Sequence, residues 1–211
     1  MHLPPRRDGE LRIGVALPVP EPYGLWLQSL RARLGDPMAR RSPAHVTMLG
    51  PTVVAQDAFD DVVAHLQSVA HAHAPFVVSL AGPGTFRPVS PVVFARVVAG
   101  AHELAALESA VRSGVLAYPT RFDFHPHVTV AHEVPPATLD EAAAALADFA
   151  ATYVVTSLAL YTHADDGVWR TARDVPLSGP RPERDAAVAP EAPTAGPDGP
   201  ATAPDGRAGA A

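Results

Sequence analysis

The sequence predicts an α+β protein built as two pseudo-symmetric lobes, each a mainly antiparallel sheet backed by helices, with a central cleft. Three observations lead there. The order strand, helix, short strand, helix, strand occurs twice, at an offset of roughly 80 residues. Both short strands carry the same triplet, His-Val-Thr. Hydrophobic residues make up 47% of the 211-residue chain, enough to bury one sizeable core.

The first copy opens with residues 11–17 (LRIGVAL), a strand by its β-branched and apolar content. Residues 21–34 follow with helical spacing at Leu25, Leu27, Leu30 and Leu34, broken at Gly35-Asp36-Pro37. Residues 44–49 (AHVTML) form a short strand that Gly50-Pro51 is expected to stop. Residues 57–72 are amphipathic, with Phe59, Val62, Val63, Leu66 and Val69 on one side, and residues 76–80 form a strand. Gly82-Pro83-Gly84 reads as a turn.

The second copy repeats the order. Residues 91–98 are a strand, 101–116 a helix, and 127–131 (HVTVA) a short strand. Residues 138–149 are a helix with Thr138 and Glu141 spaced as a capping box. Residues 153–161 (YVVTSLALY) read as one strand, and 168–177 as a last one after the turn Asp165-Asp166-Gly167. These elements define a domain over 1–178. Residues 179–211 are Pro, Ala, Gly and charge without an aromatic, and are expected to be a disordered tail.

The composition excludes several functions. With no cysteine there is no disulfide scaffold, thiol nucleophile or cysteine-based zinc site, which fits a cytoplasmic protein. A net charge of −6 argues against wrapping long nucleic acid, but a small phosphorylated substrate or an RNA end remains open to a local basic pocket. The N-terminus has a basic pair and no uninterrupted apolar run, so neither a signal peptide nor a membrane segment is expected.

In a strand, residues i and i+2 point to the same side. His45 and Thr47 therefore project together while Val46 enters the core, and His127, Thr129 and Val128 do the same. Two such units related by a pseudo-dyad would put two imidazoles and two hydroxyls in one cleft. That set suits phosphoryl transfer: one neutral imidazole takes a proton, the other, protonated, gives one, and the hydroxyls hold the charged oxygens. Neither role needs a metal or a cofactor. Either assignment of acid and base suits the symmetry.

Ser42-Pro43-Ala44-His45-Val46-Thr47-Met48-Leu49-Gly50-Pro51 and Phe124-His125-Pro126-His127-Val128-Thr129-Val130-Ala131 resemble the paired HxTx motifs of the 2H phosphoesterase superfamily, which includes the 2'-5' RNA ligase and RNA 2',3'-cyclic phosphodiesterase proteins. The resemblance spans nearly all of residues 8–178, including the Gly167-Val168-Trp169 hairpin. It implies that His45 and His127 are the catalytic pair, that Thr47 and Thr129 bind phosphate, and that the substrate is a 2',3'-cyclic phosphate or 2'-5' phosphodiester at an RNA terminus or in a small nucleotide. It implies a monomer away from membranes. Another small cyclic phosphate, such as ADP-ribose 1'',2''-cyclic phosphate, and a non-catalytic RNA-end binder are the alternative readings. His132 stands where many relatives have an arginine.

Further residues are candidates for substrate contact. Phe86 could stack on a base. Arg87 and Arg121, and with them Arg40 and Arg41, could neutralise phosphate charge. His125 lies two residues from His127 and so on its face. Its set with His127 and His132 does not converge on a metal, because His132 falls on the other side of the strand. Trp26 and Trp169 read as packing residues.

Overall fold

The computed structural model of the protein describes residues 3–120 and 122–180; Arg121 and most of the expected tail, from residue 181 on, lie outside the described residues. Eight strands form one sheet: β1 (Glu10–Pro18), β2 (His45–Ala55), β3 (Phe76–Thr85), β4 (Val92–Ala99), β5 (His127–His132), β6 (Ala150–Val155), β7 (Ser157–His163) and β8 (Trp169–Pro176). Their order is β6-β3-β4-β5-β2-β1-β7-β8, and every neighbouring pair is antiparallel. The four-stranded halves β6-β3-β4-β5 and β2-β1-β7-β8 meet where Val46 of β2 pairs with Val128 of β5.

Alternation along the strands decides which face is covered. Ile13, Val15 and Leu17 of β1, Val46 and Met48 of β2, and Val128 and Val130 of β5 are all buried. They share one core with Leu27 and Leu30 of α1 (Tyr23–Arg33), Leu66 of α2 (Phe59–Ala72), Leu104 and Leu107 of α3 (Ala101–Val111) and Leu139 of α4 (Pro136–Ala145). Each buried leucine contributes about 1.5–3 kcal/mol relative to exposure. The helices cross between halves: α1 packs on β5 and α3 on β2. The seam is thereby clamped from behind by both copies. Among the described residues, no helix is long and apolar enough to cross a membrane.

Four local expectations need correction. Strand β2 runs on through Gly50-Pro51, because these two residues oppose Gly14 alone in a bulge between the pairs Ile13↔Thr52 and Val15↔Leu49. A bulge tolerates proline, which has no N–H to give the ladder. Strand β3 likewise continues through Gly82-Pro83-Gly84, with Ala81 and Gly82 both opposing Arg96. The single strand expected over 153–161 is two strands on opposite sides of the sheet, β6 and β7, separated by Thr156. Helix α4 starts on Pro136, whose fixed φ suits a first helical turn, so Thr138 lies inside that turn and no side-chain cap forms. At the end of the body, Ser178 and Gly179 donate backbone N–H groups to Ala70 and His73 at the end of α2.

Candidate active site

The Val46↔Val128 pair fixes the seam. In antiparallel strands, the residues flanking such a pair also face one another, so His45 lies across from Thr129 and Thr47 across from His127. With both valines buried toward the helices, the two histidines and two threonines form a square on the open face. The rows continue outward through Pro18 and Ala16 of β1 on one side, and through Phe94 and Arg96 of β4 on the other. The copies' HVT strands are thus adjacent in one sheet.

Both imidazoles are held in the same way. Nδ1 of His45 lies 2.6 Å from the carbonyl oxygen of Pro43, and Nδ1 of His127 lies 2.7 Å from that of His125. A carbonyl only accepts, so each Nδ1 carries the hydrogen and each neutral ring keeps its lone pair on Nε2. Burial disfavours the charged form of both rings. His45 is pushed down to about 4, mainly by burial and further by the charges of Arg31 and His127, against the raising effect of the Pro43 carbonyl. His127 is also lowered, first by burial and then by His125, against its own carbonyl bond. Arg31 is itself buried behind the site, paired with buried Asp36 at 3.2 Å, and Asp36 also accepts the Met38 N–H at 2.7 Å.

The flanks of the square differ. Beside His45 and Thr47 is an open hollow lined by Gly14, Ala16, Ser42, Pro43, Pro51, Tyr161 and Trp169 among others. A Cβ on Gly14 would sit 3.3 Å from Cζ3 of Trp169, so the glycine gives the indole its place. Beside His127 the space is filled with rings. Phe86 contacts Phe94 at 4.5 Å between centroids, His127 at 4.9 Å and His125 at 5.3 Å; Phe94 lies 5.0 Å from His127. The short β3–β4 loop holds Phe86 there: its N–H donates to Val92, and the Ser90 N–H donates back to its carbonyl.

The structure brings together His45, Thr47, His127, Thr129, Phe86 and His125. Arg87 is directed elsewhere: its guanidinium holds Asp140 of α4 at 2.8 Å on the surface. Sequence reading missed Arg31 and Asp36, the Tyr161–Trp169 wall, Phe94 and Arg96. Strand parity relative to His127 and Thr129 is the signal that finds the last two, once β4 is known to be the neighbour.

The family described as the 2'-5' RNA ligase superfamily matches residues 19–167 of this chain. A Bacillus cytotoxicus protein named "putative phosphoesterase" is 28% identical over 99 residues, which is 47% of this chain and 57% of that relative; the chain thus matches little more than half of its length. Among solved structures, E. coli LigT complexed with 3'-AMP superposes with a TM-score of 0.58 at 18% identity, covering 80% of this chain and 99% of that one. The TT0787 protein of Thermus thermophilus gives a TM-score of 0.52 at 23% identity, covering 81% and 100%. At these identities the structures establish a shared fold.

Proposed function

This chain belongs to the 2'-5' RNA ligase superfamily, and from that premise we propose that it is a phosphodiesterase hydrolysing 2',3'-cyclic phosphate or 2'-5' phosphodiester at RNA ends or in nucleotides, by paired-histidine acid–base catalysis without a metal. One observation carries the reading. Two His-x-Thr units, far apart in sequence, meet in register on one open face, each ring tied through Nδ1 with Nε2 left for chemistry. E. coli LigT, which shares the fold, has been crystallised with 3'-AMP, a product-sized nucleotide.

The surroundings favour one division of roles. His45, held at about 4 beside the buried Arg31 charge, is the base: it is neutral at any ordinary pH. His127 takes the part of the acid in this reading, because the Arg31 charge that further lowers His45 does not act on it. Water attacks the cyclic phosphorus as His45 takes its proton. The bond from phosphorus to one ribose oxygen breaks, and His127 protonates that oxygen, leaving a monoester. Thr47 and Thr129 hold the non-bridging oxygens where charge develops. The apolar cavity beside His45 takes the nucleoside.

The test is turnover of adenosine 2',3'-cyclic phosphate with and without EDTA. Activity is expected to persist in the chelator. Loss of activity in EDTA, restored by a divalent cation, would move the chemistry to a metal; no turnover with any cyclic phosphate would leave only a nucleotide-binding module.

A further inference from the structure

The register places Arg96 directly beside His127, on the open face, and it is exposed. Its stem crosses Gly84, where a Cβ would sit 2.9 Å from its Cγ, and its head lies over Gly82, where a Cβ would sit 3.3 Å from Nη2. Gly82 is also the bulge residue of β3, at φ +63°. Gly84 thus makes room first for the Phe94 ring, which a Cβ there would strike, and both glycines leave the Arg96 side chain its path over β3. Arg6, Arg31, Arg87, Arg112 and Arg170 each hold a carboxylate, whereas Arg96 has no ion pair or hydrogen-bond partner among the described residues.

The position of the head decides what it can bind. It lies over β3, two strands from His127, and so is offset by about 10 Å from β5 and about 12 Å from the β5–β2 seam. An anion resting on it is therefore not the one between the two imidazoles. We propose that Arg96 binds a second, non-reacting phosphate of the substrate, so that the preferred substrate is a cyclic phosphate carrying another phosphate group, on a mononucleotide or as the next linkage of an RNA end. This rests on the phosphodiesterase reading for the first phosphate. A guanidinium suits the task because its fork matches phosphate oxygens in a bidentate manner.

Calorimetric titration tests the idea independently of turnover. Wild type, Arg96→Gln and Arg96→Lys are each titrated with adenosine 2'-monophosphate and adenosine 2',5'-bisphosphate. Wild type is expected to bind the bisphosphate at least tenfold tighter, Arg96→Gln to bring the ratio within about twofold of unity, and Arg96→Lys to keep part of it. Thermal melts confirm that the variants fold. In parallel, kcat/KM is compared for adenosine 2',3'-cyclic phosphate, its 5'-phosphorylated form and a dinucleotide ending in a 2',3'-cyclic phosphate. A gain with either of the last two that disappears in Arg96→Gln supports the assignment, and the larger gain identifies a free nucleotide or an RNA end as its source. A wild-type binding ratio near unity, or an Arg96→Gln loss equal for mono- and bisphosphate, overturns it. A clear binding ratio without turnover of any substrate leaves Arg96 in place and removes the phosphodiesterase reading instead.

Discussion

The two halves of the sheet present the same His-x-Thr pair to one square but surround it differently. On the β1–β7 side, Gly14 and the Trp169 ring leave a hollow next to His45. On the β3–β4 side, Phe86 and Phe94 close against His127, and farther out the Arg96 side chain covers Gly84 and Gly82. A duplicated backbone thus supplies two equivalent imidazoles, and side chains outside the motif make them unequal. Burial lowers the proton affinity of both, and the Arg31 charge adds to that at His45 alone.

The largest test of that inequality is removal of each ring. His45→Ala and His127→Ala are each expected to lower kcat/KM by about 100-fold or more, on the order of an acid–base contribution. Their pH profiles should differ. In wild type, kcat/KM is expected to fall on the acid side only as His45 is protonated, near 4, and on the alkaline side as His127 loses its proton, below the ordinary 6.5 because its value is lowered. The bell therefore lies between these limits, with apparent values belonging to the coupled pair. His45→Ala should lose the acid limb and His127→Ala the alkaline limb. The opposite pattern would exchange the two roles.

Next is the charge behind His45. Asp36→Ala leaves Arg31 buried without its carboxylate and is expected to cost about 3–5 kcal/mol in urea unfolding. Arg31→Met with Asp36→Leu should recover part of that loss, because apolar residues replace the pair while the Met38 N–H loses its acceptor. With the Arg31 charge gone, the acid limb of the double variant should also move above 4, since that charge depresses His45. An unmoved limb would mean that the Arg31 charge does not contribute to the His45 proton affinity.

A smaller effect probes the hollow. Gly14→Ala puts a Cβ 3.3 Å from Trp169 Cζ3 and 3.4 Å from the Leu49 carbonyl oxygen, so the indole must shift. KM for a cyclic nucleotide is expected to rise by up to about tenfold, with kcat changed less. Equal loss in kcat would place the effect on His45 and not on the nucleoside.

Much of this was legible from sequence, for reasons that particular residues explain. The motifs stood out because period-two alternation puts His45 with Thr47 and His127 with Thr129 wherever the strands lie. The break inside 153–161 was not read from sequence, because apolar residues run through both parities on either side of Thr156, from Tyr153 to Val155 and from Leu158 to Tyr161. Gly50-Pro51 and Gly82-Pro83-Gly84 misled because the same residues serve turns and bulges, and only a partner strand distinguishes them. The roles of Phe94 and Arg96 were out of reach, since they follow from β4 pairing with β5, a register that no local pattern encodes.

Phe86 makes the finest distinction, because it serves two purposes on the filled side. Its ring covers His127, and its position suits stacking against a base. Phe86→Ala removes cover and platform together; Phe86→Leu keeps apolar bulk but loses the flat ring. Burial is the main cause of the lowered His127 value, so Phe86→Ala should let the alkaline limb rise toward 6.5, while Phe86→Leu should leave it nearly in place. Stacking is worth about 1–3 kcal/mol per base, so if a base rests on Phe86 both variants should raise KM by about fivefold or more. A moved limb with an unchanged KM would make Phe86 only the cover of the acid, and would leave the hollow beside His45 as the place where the base is read.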